Sequence, residues 1–80
     1  MIYVFLATGF EEVEAIAPID VLRRAGLQVT TVSITDELTV MGAHGIGMVA
    51  DTLFADNDYS DADLLFLPGG LPGSTNLNAH

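Results

Sequence analysis

Residues 2–34 read IYVFLATGFEEVEAIAPIDVLRRAGLQVTTVSI, and the order of patterns within them decides the fold. Ile2-Tyr3-Val4-Phe5-Leu6 is an unbroken apolar run of β-branched and aromatic types, the pattern of a strand buried on both faces. Thr8-Gly9-Phe10-Glu11 matches the S/T-x-x-E capping box, and Val13, Ile16, Ala17 and Val21 follow at helical spacing. A helix from about Glu11 to Ala25 is predicted, with Gly26 where a helix-ending glycine belongs. Gln28 to Ile34 is β-branched and reads as the second strand. Strand, helix and strand joined by short turns make a βαβ unit, hence a parallel sheet with a right-handed crossover. Pro18 lies inside the helical pattern, where its missing N–H would have bonded the Glu14 carbonyl, so a distortion is expected there.

Working outward, Leu64 to Leu67 is another continuous apolar run, bounded by Asp63 and by Pro68-Gly69-Gly70, and reads as a strand buried on both faces. Leu38 to Met41 and Ile46 to Ala50 flank Gly42-Ala43-His44-Gly45 as a hairpin. The acidic stretch from Asp51 to Asp63 reads as a loop with one helical turn. Three buried strands and one helix cannot cover both faces of a parallel sheet. Residues 1–80 are therefore expected to be the N-terminal part of a single α/β domain whose remaining helices lie outside the sequence. The composition agrees: half the residues are apolar, more than an 80-residue domain can hide when only roughly 60% of its surface is buried.

Eleven acidic residues face only Arg23 and Arg24, a net charge of -9 that repels nucleic-acid backbones and anionic membrane surfaces. The apolar opening is too short to span a bilayer and has no basic residues before it, so a cytoplasmic location without membrane association is expected. The chain has no cysteine. It also has no G-x-G-x-x-G or G-x-x-x-x-G-K loop, and no cofactor or metal site is expected. A flavodoxin phosphate loop is excluded by the acids that follow Thr8-Gly9. A receiver domain is excluded because neither Ala7-Thr8 nor Leu67-Pro68 supplies its acidic groups.

In parallel sheets ligands collect at the carboxyl ends of strands, and two chemically distinctive segments lie there. Glu11, Glu12 and Glu14 open the helix. They either complement its dipole or aim a carboxylate into a site. Pro68-Gly69-Gly70 is either an ordinary strand-ending turn or a place where backbone N–H groups face a developing oxyanion. His44 belongs to the hairpin tip, as a solvated residue or a site residue. Asp20 and Arg24 have the spacing of a surface helical pair, and Tyr3, Phe5 and Phe66 read as core.

As a set these segments resemble the ThiJ/PfpI superfamily, a glutamine amidotransferase-like group that includes bacterial proteins labelled for thiazole monophosphate biosynthesis. The resemblance rests on Gly9-Phe10-Glu11-Glu12-Val13-Glu14, on Pro18 through Gly26 with its R-R-A-G ending, on Gly42-Ala43-His44-Gly45, and on Asp63 through Gly70. It implies a flavodoxin-like, doubly wound, mostly parallel sheet and a homodimer. It also implies roles. Glu14 matches a glutamate whose protonated carboxyl bonds a nucleophilic cysteine thiolate, and Gly69 and Gly70 match a turn facing the reacting oxygen. His44 matches a position that in some members approaches the neighbouring subunit near Glu11, where arginine is common. The cysteine belongs some thirty residues beyond Gly70, outside this sequence. The implied activity of the complete protein is cysteine-dependent chemistry on small carbonyl compounds, of glyoxalase, deglycase or amidase type. The alternative is a redox-responsive stress or chaperone protein without turnover. The 80 residues alone are expected to be inactive.

Overall fold

The computed structural model describes residues 1–69; Gly70 and the segment after it lie outside the described residues. In chain order the elements are β1 (Ile2–Leu6), α1 (Glu12–Arg24), β2 (Val29–Ser33), β3 (Thr39–Met41), β4 (Gly47–Val49), β5 (Thr52–Leu53), a 3-10 turn (Phe54–Asp56) and β6 (Leu64–Phe66). The main sheet has the order β5-β2-β1-β6 and is parallel throughout. Ile2 pairs with Val29 on one side and with Leu64 on the other. β1 is thus central, and all five of its residues are buried.

Helix α1 begins at Glu12, one residue later than predicted, and its cap lies three residues beyond the one the capping box implied. Glu11, not Thr8, is its N-cap, and the Glu11 side chain accepts from the Val13 N–H at 2.9 Å. The reason is local: the backbone of residues 8–10 is already committed elsewhere. Gly9 N–H donates to the Met41 carbonyl, Phe10 N–H to Ala7, and the Phe10 carbonyl accepts from Ala43, so no helix can start there. At the other end Gly26 has φ +83°, a left-handed conformation natural to glycine. Leu27 N–H donates back to Leu22 and Gly26 N–H to Arg23, the paired bonds of a Schellman ending. Pro18 does not interrupt the helix, which runs as one element from Glu12 to Arg24. The Asp20–Arg24 pair forms at 3.2 Å.

The helix turns a different face to the sheet than its valines suggested. Glu12, Ala15 and Ile19 are buried, with Leu22 packed beside them, whereas Val13, Ile16 and Val21 are exposed. Ala15 and Ile19 meet Ile2, Val4 and Leu6 in the larger core, which Phe10, Val40 and Ala50 complete. On the opposite face of the sheet Tyr3, Phe5 and Val32 form a smaller cluster with Tyr59. The Tyr3 and Tyr59 rings meet edge to face at 4.8 Å between centroids.

Two further expectations are corrected. Residues 51–63 contain a strand as well as a turn. Thr52–Leu53 pairs with the end of β2, set in place by the Asp51 carboxylate, which accepts from Thr31 N–H at 2.9 Å and from Arg23 at 3.0 Å. Strand β6 is not buried on both faces: Leu64 and Leu65 are half exposed, and among the described residues no helix packs over them. Among the described residues no helix is long and apolar enough to cross a membrane.

Candidate functional site

The β3–β4 hairpin is fastened to the loop between β1 and α1. Besides the two backbone bonds from residues 9 and 43, Phe10 and Gly42 form an isolated parallel bridge. This brings the hairpin tip to the first turn of α1, beside the carboxyl end of β1. The end of β6 arrives from the other side: Glu11 N–H donates to the Gly69 carbonyl at 2.6 Å. Three chain segments far apart in sequence therefore meet around residues 11–14.

Toward β6, the Glu14 carboxylate lies against the Cα of Gly69. A Cβ placed on Gly69 would stand 2.5 Å from Glu14 Oε2, so only glycine permits the approach. Beside them Val13, Pro18, Phe66 and Leu67 line an open, mainly apolar hollow of about 610 Å³, with the Glu14 carboxylate at its wall. It continues between Val21, Leu22 and Leu64 as a wholly apolar hollow of about 450 Å³. The valines that do not face the sheet line this trough.

Toward the hairpin the organising residue is Glu12, whose side chain is almost completely buried. Its Oε2 accepts from the N–H groups of His44 at 2.8 Å and Ile46 at 3.3 Å, and its Oε1 meets His44 Nδ1 at 2.8 Å. Gly42 packs so closely on the Glu12 carboxylate that any Cβ there would overlap it. Burial opposes ionisation of Glu12, but the hydrogen bonds from the His44 ring and from the backbone outweigh it and bring its pKa down to about 2. The same bond to Glu12, with the added charge of Glu11, raises the His44 pKa above its ordinary value.

The sequence-predicted residues are thus split into two adjoining groups. Glu14 and Gly69 are brought together on one side of the helix start, and His44 lies on the other, 3.9 Å from Glu11 and in direct contact with Glu12. Gly70 lies outside the described residues. Glu12 was not singled out, although a signal existed: Glu12, Ala15, Ile19 and Leu22 share one helical stripe, and a carboxylate in phase with a core stripe needs buried donors.

A pH dependence follows from these shifts. With its pKa held down, Glu12 contributes stability above its ordinary value of 4.5 and loses it as pH falls toward 2. With its pKa raised, His44 contributes fully below 6.5 and loses that contribution as pH rises through the raised value. The pair should therefore stabilise most between about 4.5 and 6.5. Melting temperature measured against pH should decline above that window in the parent more than in His44→Ala. Parallel curves for the two proteins would contradict it.

The sequence pattern of the DJ-1/PfpI family matches residues 1–80. Protein DJ-1 homolog B from Arabidopsis thaliana is 51% identical over 72 residues, covering 90% of this chain and 16% of that protein. A cysteine-to-alanine mutant of a DJ-1 superfamily protein from Salmonella typhimurium superposes with a TM-score of 0.94 at 42% identity, over 99% of this chain and 43% of that one. Oxidized DJ-1 from Toxoplasma gondii superposes with a TM-score of 0.87 at 37% identity, over 91% of this chain and 40% of that one. The chain therefore spans less than half the length of each of these relatives. Over that span the parallel sheet, the helix after β1 and the hairpin coincide with family structures, and the chain belongs to the DJ-1/PfpI family.

Proposed function

We propose that the complete protein is a cysteine-dependent enzyme acting on small carbonyl compounds, with Glu14 hydrogen-bonded to the thiolate and Gly69 and Gly70 beside the reacting oxygen. The observation that carries this reading is the contact of Glu14 with Gly69, which puts a carboxyl group and a side-chain-free backbone at one wall of an apolar hollow. A thiolate attacking a carbonyl carbon leaves negative charge on the oxygen, and an N–H facing that oxygen stabilises it. A carboxyl group that donates to sulfur favours the thiolate. We also propose a homodimer. His44 spends Nδ1 on Glu12 of its own chain, so its exposed ring edge is what remains to meet a second subunit near Glu11.

The test separates hydrogen bonding from packing at Glu14. In the complete protein Glu14→Leu should raise the thiol pKa toward the free value of about 8.5 and slow alkylation by iodoacetamide near pH 6, with Glu14→Gln much milder. Three coincident pH–rate profiles would leave Glu14 as a helix-start acid only. The second reading, a redox-responsive protein using the same thiol, is favoured by the oxidized state of the Toxoplasma gondii relative. A reactive thiol that consumes no small aldehyde would select it.

A further inference from the structure

We infer that Glu11, Glu12 and His44 form a binding site for a divalent transition-metal ion of the zinc type. The site is separate from the Glu14–Gly69 wall and does not depend on the function proposed for it. Each of the two carboxylates spends one oxygen on the backbone and turns the other toward the imidazole. Glu11 accepts from Val13 N–H through Oε1 and holds Oε2 at 3.9 Å from His44 Nδ1. Glu12 accepts from His44 and Ile46 N–H through Oε2 and holds Oε1 at 2.8 Å from the same nitrogen. Ligand atoms of all three residues lie within 4.8 Å of one another.

An ion bound at about 2.0–2.2 Å from nitrogen and oxygen ligands keeps neighbouring ligands roughly 3 Å apart. The Glu12–His44 pair already has that spacing, and Glu11, whose side chain is less buried than that of Glu12, needs only a small rotation. Fixing Glu12 through its other oxygen is what an outer shell does for a metal ligand. One imidazole and two carboxylates suit zinc, cobalt or nickel rather than calcium or magnesium, which prefer oxygen alone. In the single chain the His44 side chain is 66% exposed, so its ring is within reach of an ion. The chain's charge of -9 favours a cation there. In binding, the ion takes the place of the proton between Nδ1 and Glu12, and that proton passes to solvent. Sequence spacing could not show this site, because Glu12 and His44 are 32 residues apart and are joined only by the hairpin's attachment.

The experiment is calorimetric titration of the complete, chelator-treated protein with zinc chloride, alongside cobalt(II) absorption in the visible. One ion per chain is expected, with cobalt bands characteristic of a nitrogen-containing ligand set. His44→Arg keeps a donor for Glu12 and so keeps the hairpin tethered, but it cannot coordinate; it should abolish the cobalt bands and weaken zinc at least tenfold. Glu11→Gln keeps an oxygen for the helix cap and should weaken zinc several-fold. Absence of saturable binding in the parent, or an unchanged affinity in either variant, would overturn the site.

Discussion

Gly42→Ala should destabilise the complete protein by about 2 kcal/mol, a fall of roughly 4–8 °C in melting temperature for a domain of about 150–250 residues. The added methyl would occupy the space of the Glu12 carboxylate, which cannot retreat because it is buried and fixed by the N–H groups of His44 and Ile46. Moving it strands those donors as well as the acid. Gly47→Ala in the same hairpin is the control, since its Cβ would meet the Met41 sulfur at 3.1 Å, at the flexible part of a side chain, and Thr39 Cγ2 at an ordinary 3.5 Å. Thermal melts of the two variants should differ by most of the effect. Equal losses would mean that the hairpin merely dislikes alanine, and that Glu12 does not organise it.

Gly69→Ala should do the converse, sparing stability and removing function. A methyl at Gly69 would stand 2.5 Å from Glu14 Oε2, so the carboxylate must swing away from the end of β6. There is room for that swing, because the hollow beside it is open. Misplacing a positioning group by about 1 Å costs on the order of 100-fold in rate. Turnover of a small aldehyde by the complete protein, or thiol alkylation near pH 6, should fall by that order while the melting curve barely moves. Adding Glu14→Gln to Gly69→Ala should cost little more, since both act on one group. A Gly69→Ala protein of full activity would separate Glu14 from the reaction.

How far the sequence could be read depended on whether a pattern was local. β1 and the Gly26 ending of α1 were plain because hydrophobic runs and a positive-φ glycine act within a few residues. That Glu14 and Gly69 lie at the carboxyl ends of strands was legible from the parallel topology, but their contact was not, since nothing local ties residue 14 to residue 69. What was misread had long-range causes. Thr8 looked like a helix cap until the hairpin claimed its neighbours' backbone. Val13 and Val21 looked like core until the sheet met the helix through Ala15 and Ile19. The strand at Thr52–Leu53 is too short for any period to show, and is set by Asp51 reaching Thr31 across the sheet. Glu12 was passed over because an acid at a helix start has an ordinary explanation, the dipole, that hid its buried one.

The central place of β1 also bears on how the chain is made. Among the described strands β1 is made first, and it needs partners on both sides that arrive at very different times. Val29 follows Ile2 after a single helix, but Leu64 pairs with the same residue from 62 positions further on. At roughly 5–20 residues per second, β1 and β2 wait a few seconds with one edge open before β6 is even synthesised. A most apolar strand with a bare edge is a template for the wrong neighbour. Slowing translation before β6 has emerged from the ribosome should therefore reduce soluble yield, whereas the same slowing after it has emerged should leave it unchanged.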